Sequence, residues 1–165
     1  MQSEIAVRLI ERELNTLREE IELYPDDRTL CQELPGLRNP GGNLALHLCG
    51  NLQHFVGGIL GGSGYVRQRE AEFARRDLTR AELLAEIEKT RAVVGRTLRA
   101  LPADRWASDF PAELQGKFLP TPLFLAHLCV HLSYHLGQLN VHRRAVTADV
   151  RTPASISIIA LSEGI

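Results

Sequence analysis

Apolar positions along the chain fall into four long stretches of helical period, separated by segments rich in Pro, Gly and charge. From Ser3 to Leu23, Ile10, Leu14, Leu17 and Ile21 recur at helical spacing with Glu and Arg between them. Ser3 is placed to cap this helix, and Pro25-Asp26-Asp27 ends it. Residues 25–42 read as a loop pinned to the core by Leu30, Leu34 and Leu37. A second helix is predicted to start near Asn39-Pro40 or Asn43 and to run to about Leu60. There the Gly57-Gly58 and Gly61-Gly62-Ser63-Gly64 cluster frays or ends it. Residues 65–78 form a charged connector. The third helix spans Thr79 to Leu101, opened by a capping box of Thr79 and Glu82, with Leu83, Leu84, Ile87, Val94, Leu98 and Leu101 on its apolar side. Pro102 to Pro120 is an irregular connection whose Trp106, Phe110 and Phe118 are expected to plug the bundle end. The fourth helix runs from Thr121-Pro122 to Ala145, and beyond Thr147 the run Ser155-Ile156-Ser157-Ile158 alternates weakly, like a strand. Four helical patterns without a convincing sheet predict an all-α bundle, one domain over residues 1–165 with a peripheral tail at 147–165.

The fourth helix carries the chemistry. Phe124, Leu125, Leu128, Val130, Leu132, Leu136, Leu139 and Val141 make it apolar nearly all round, the pattern of a buried helix. Yet His127, His131, His135, Gln138 and His142 fall within an arc of about 80° on one face. Burying such groups without partners costs roughly 1–3 kcal/mol each. A metal ion offsets that cost, since neutral imidazole is a good ligand for Zn, Ni and Fe. Histidines at i and i+4 can share one ion. Both His127–His131 and His131–His135 have that spacing, and periodicity does not choose between them. The glutamate of a His-Glu-x-x-His metalloprotease is absent.

The second helix offers a matching face, with His47, Asn51 and His54 within about 60° of one another and leucines flanking His47. If the two helices face each other, His47 completes a three-histidine site with an open fourth position, the pattern of a catalytic metal. His54 and His142 read more simply as structural histidines, and His142 lies beside Arg143 and Arg144 near a helix C-terminus that favours a cation. Cys49 and Cys129 each lie two residues from a candidate histidine, about 200° around the helix, and read as small buried hydrophobes.

Charge and cysteine content narrow the function. A net charge of -1, with acidic residues interleaved among the arginines, argues against nucleic acid or a membrane surface as partner. Three cysteines without a Cys-x-x-Cys pair indicate neither a disulfide framework nor a zinc ribbon, and fit a reducing cytoplasm. The N-terminus is not a signal peptide in pattern, and no segment reads as a membrane span. The glycine cluster lacks the lysine of a P-loop.

The run His131-Leu-Ser-Tyr-His135-Leu-Gly-Gln138 resembles the His-x-x-x-His-x-Gly-Gln signature of the DinB-like (DinB or YfiT-like) superfamily of metal-dependent hydrolases. Asn43 to Leu52 is similar to that family's second-helix motif, in which one histidine is a metal ligand. The resemblance covers about residues 1–146. It implies an up-down-down-up four-helix bundle, frequent homodimers, and a Zn or Ni ion on His47, His131 and His135, so selecting His135 over His127. Gln138 would then stand behind the ligands, and Asn51, one turn beyond His47, would play a similar part. Some relatives are thiol S-transferases using low-molecular-weight thiols, and one group includes a thiol-dependent isomerase.

Two functions follow as expectations. The first is a metal-dependent enzyme, a hydrolase or a low-molecular-weight-thiol S-transferase, in which the ion activates water or a thiol. Tyr65, Glu70 and Glu72 in the connector would reach over the site, and Arg67 and Arg69 would receive an anionic substrate. The second is a non-catalytic metal-binding or purely structural dimeric bundle.

Overall fold

The computed structural model describes residues 2–113 and 115–163, without the side chains of Gln2, Ser3 and Glu163. Its regular elements are all helical: α1 (Gln2–Glu22), α2 (Asp27–Leu30), α3 (Gly41–Leu52) continued by a π-helical stretch (Gln53–Leu60), α4 (Arg69–Ala74), α5 (Arg80–Ala100), α6 (Ala103–Ala107), α7 (Thr121–Thr147), a 3-10 turn (Ala154–Ile156) and α8 (Ile158–Glu163). Among the described residues no strand forms, and one isolated antiparallel bridge joins Asp109 to Pro120.

The amphipathic faces read from the sequence meet in one core. Ile10, Leu14, Leu17 and Ile21 of α1 are fully buried, as are Leu83, Ile87 and Leu98 of α5. The helix α1 packs on α5 and α7, and α3 packs on both of those, so four long helical elements enclose the core. Thr79 caps α5 by accepting the Glu82 backbone N–H, as its spacing predicts. The Ser3 cap lies outside the described side chains.

Several local expectations change. The loop at 25–42 contains the short helix α2, capped by Asp26, whose carboxylate accepts the Thr29 N–H at 2.8 Å. The second helix ends at Leu60 with Gly61 as its C-cap, as expected, but its last eight residues, Gly57 and Gly58 among them, widen into the π-helical stretch. Of the three aromatics between α5 and α7, Phe110 is fully buried and Trp106 partly so, but Phe118 is 61% exposed and plugs nothing. The alternation at Ser155–Ile158 makes no strand, because no neighbouring strand is present to pair with it. Instead Ser157 caps α8, its hydroxyl accepting the Ala160 N–H at 3.2 Å. The tail is tied to α1 and α7 by Arg143, which is wholly buried, pairs with Glu20, and donates to the carbonyls of Asp149 and Arg151 at 2.8 and 2.6 Å.

The largest difference concerns α7. Its apolar residues do not all go inside: Leu123, Val130, Tyr134 and Val141 are 54–68% exposed. One face packs on α1 and α3, while the opposite face, free of charged residues from Thr121 to His142, meets solvent in the isolated chain.

Candidate metal centre

The packing of α3 against α7 brings His47 level with His131 and His135. One ligand nitrogen from each of the three lies within 4.8 Å of the others. Ring centroids are 5.3 Å apart for His47 and His131, 5.1 Å for His47 and His135, and 4.6 Å for His131 and His135. His127 stays outside the group. It is exposed, stacks on Phe124, and its ring lies 6.1 Å from that of His131.

Two of the three rings have a partner on their far side. His47 Nδ1 lies 2.8 Å from Glu72 Oε2, in the α4 helix. Burial alone would raise the Glu72 carboxyl, but hydrogen bonds from Arg67 and His47 outweigh it and hold the group below its ordinary value. An ionised carboxylate only accepts, so the His47 proton sits on Nδ1 and the Nε2 lone pair faces the other histidines. Arg67 forks onto the same carboxylate, Nε to Oε1 at 2.7 Å and Nη2 to Oε2 at 2.8 Å. Its 3.1 Å approach to His47 Nδ1 follows from both groups donating to one oxygen. His135 Nδ1 donates to Gln138 Oε1 at 2.8 Å, which frees its Nε2 in the same way. These are the partners that orient metal-binding imidazoles and fix their tautomers.

The helix α4 is held in place for this purpose by Asn43, buried at the start of α3. Its Nδ2 donates to the carbonyls of Glu72 and Arg75, both at 2.9 Å. Glu72 then enters a notch at Gly50, one turn beyond His47. A Cβ on residue 50 would stand 2.2 Å from Glu72 Oε1, so only glycine leaves room for the carboxylate. Phe73, next along α4, packs its ring 4.7 Å from that of His47.

The histidines fit a metal ion on three counts. Burial, reinforced by the neighbouring His135, His47, His127 and Arg67, pushes the His131 pKa down to about 4, so that ring is neutral near pH 7. His135 is also lowered, mainly by burial. His47 Nε2 and His131 Nε2 are 3.4 Å apart. Two ligand nitrogens at the usual ~2.0–2.1 Å from a tetrahedral ion stand roughly 3.3–3.4 Å from each other.

The histidines form the floor of a cleft of ≈ 680 Å³, within the range of small-molecule sites. Asn51, Tyr134, Gln138 and Arg67 line it too, as do Arg38, Arg69 and Phe73. Tyr65 and Glu70 are not among its lining residues. Tyr65 instead takes Lys89 Nζ 5.9 Å from its ring centroid, and Glu70 is exposed in the first turn of α4. Glu72 lies behind His47 rather than above the site. Sequence reasoning missed this role and the Gly50 notch. The available signal was a glycine three residues after His47, on the same helical face.

The remaining candidates are structural. His54 is partly exposed beside Phe55. His142 is not a helix-terminal cation: α7 continues five residues past it, and the ring is wholly buried. Its Nε2 donates to the Gln32 carbonyl and its Nδ1 accepts from Tyr24 Oη, both at 2.8 Å, with burial pushing it towards the neutral form. Burial drives the Cys49 thiol up to about 12 and Cys129 up to about 11, so neither is a ready thiolate.

Helical fold, histidine spacing and the His-x-x-x-His-x-Gly-Gln run agree with the comparison to known families. Residues 9–139 match the model of the DinB superfamily, and the chain belongs to that superfamily. None of the curated proteins matches the chain.

Proposed function

We propose that the protein is a metal-dependent enzyme of the hydrolase or low-molecular-weight-thiol S-transferase type. The observation that carries this reading is the convergence of three imidazole nitrogens within 4.8 Å on the floor of an open cleft. Bound there, a divalent cation, Zn or Ni, supplies Lewis acidity and lowers the pKa of a water or thiol. His47, His131 and His135 donate the three lone pairs. Glu72 and Gln138 hold two of the rings by their Nδ1 protons, and Arg67 keeps Glu72 ionised. Asn51 and Tyr134 present polar groups to whatever enters. Arg67 is the one of the three connector residues Tyr65, Arg67 and Glu70 that faces the cleft. The three cysteines, all unpaired thiols, are in keeping with a cytoplasmic setting.

The functional unit is a homodimer formed through α7. Leu123, Val130, Tyr134 and Val141 repeat at intervals of seven, four and seven residues along its exposed face, the spacing of a helix-packing seam. Tyr134 belongs to both this stripe and the cleft.

A second reading, a metal-binding bundle without catalysis, draws on one feature: no Asp or Glu lines the cleft among the described residues, so no carboxylate stands ready as general base.

His135→Ala tests the common ground of both readings. The variant should keep its helical circular dichroism and lose its bound metal by elemental analysis. A full complement of metal in that variant would falsify the three-histidine site.

A further inference from the structure

Three guanidinium groups line the cleft, one from the segment before α3 and two from the start of α4 and the residues just before it. Arg67 is committed to Glu72, which neutralises it. Arg38, in the segment before α3, and Arg69, in the first turn of α4, are different. Neither has a carboxylate or a hydrogen-bond partner among the described residues, and no acidic residue lines the cleft there. Two uncompensated positive charges therefore border the three histidines. An exposed arginine is usually a solvated one, but Arg69 is held: its guanidinium carbon lies 5.3 Å from the centre of the Phe73 ring, and Phe73 packs against His47. That stack fixes the charge beside the site without neutralising it, and leaves the planar fork of donors available.

We infer that Arg38 and Arg69 form an anion subsite, and that the small molecule taken by this cleft carries a carboxylate or phosphate beside its reacting end. The inference deepens the enzymatic reading and rests on the cleft being its substrate site. Guanidinium forks match the paired oxygens of either group, and a neutral ligand would leave both charges unused. A cleft of ≈ 680 Å³ holds such a head group together with the reacting end. The subsite is a property of the chain's own arginines and is present with or without a cation on the histidines.

The test is calorimetric titration of metal-free and zinc-loaded protein with succinate, with inorganic phosphate, and with succinamide as the uncharged control. The variants are Arg38→Gln/Arg69→Gln and, separately, His135→Ala. At least one anion should bind metal-free wild type, and its affinity should fall roughly tenfold or more in the arginine variant. Succinamide should bind no better to wild type than to that variant. Arginine-dependent succinate binding identifies a carboxylate subsite, and arginine-dependent phosphate binding a phosphate one. The inference is overturned if neither anion binds metal-free protein, or if the arginine variant binds them as wild type does. Failure of the metal reading looks different: zinc uptake is unaffected by His135→Ala, while arginine-dependent anion binding persists.

Discussion

Glu72 Oε2 sits 2.8 Å from His47 Nδ1, in a notch that exists because residue 50 has no side chain. The carboxylate holds the ring in one tautomer and directs its free nitrogen towards His131 and His135. Replacing Glu72 by Gln removes the charge that fixes the Nδ1 proton, and Gly50→Ala drives a methyl group into the carboxylate. Both variants retain all three histidines. Each should bind zinc roughly 10–100-fold more weakly, measured by competition with a chelator of known affinity. Unchanged affinity in both would show that the ring needs no support from α4.

A second glycine makes room for a different pair. Tyr24 and His142 meet in the core at 2.8 Å, and a Cβ at residue 41 would stand 1.9 Å from the Tyr24 oxygen. Tyr24→Phe leaves His142 Nδ1 buried without a partner and should cost about 1–3 kcal/mol in urea unfolding. Gly41→Ala should also destabilise, by displacing the tyrosine. Because the two changes act on one contact, the double variant should lose less than the sum of the singles. Strict additivity would mean that Gly41 serves some other packing need.

Acid should weaken the metal-free fold through its neutral histidines. The His131 pKa is about 4 in the folded chain, against an ordinary value of 6.5, and His135 and His142 are lowered too. Between these values the unfolded chain binds protons that the folded chain refuses, so stability falls as pH drops from about 6.5 to about 4. Above 6.5 this contribution is fully present. The urea midpoint of metal-free wild type should therefore fall over that window, and that of His131→Asn should fall less. Parallel curves would assign the acid sensitivity to other groups.

The exposed stripe on α7 predicts an assembly. Val130 is 68% exposed in the isolated chain, so Val130→Asp should leave the protomer's own stability within roughly 0.5 kcal/mol of wild type. In a seam between two copies the same carboxylate would be buried unpaired. Sedimentation should show a dimer for wild type and a monomer for the variant. A wild-type monomer at high concentration, or a variant dimer of equal affinity, removes the proposed interface.

The bundle and most of its core were legible from periodicity, as Ile10, Leu14, Leu17 and Ile21 show, since a 3.6-residue repeat has to place its apolar side inwards. Periodicity misread α7, because an apolar position that meets solvent in the isolated chain looks the same in sequence as one facing the core. The weak alternation at Ser155–Ile158 forms no strand, in line with the expected absence of a sheet, since it has no strand to pair with. Local charge misled at His142, whose burial depends on Tyr24 and Gln32, distant in sequence.

For the three-histidine centre, the sequence by itself determined that polar groups would line one face of α7 and that His47 would stand on a matching face of α3. Helical geometry required this wherever the helices lay. It left His127 and His135 as equal companions of His131, a tie broken only by resemblance to a family. Tertiary structure alone decided how far along α7 the α3 helix sits, and so which histidines meet His47. It alone brought Glu72 behind that ring and Arg38 and Arg69 to the cleft. The physical reason is that spacing along a helix defines a face, whereas the height at which two faces meet, and which loop covers them, are set by packing across the whole core.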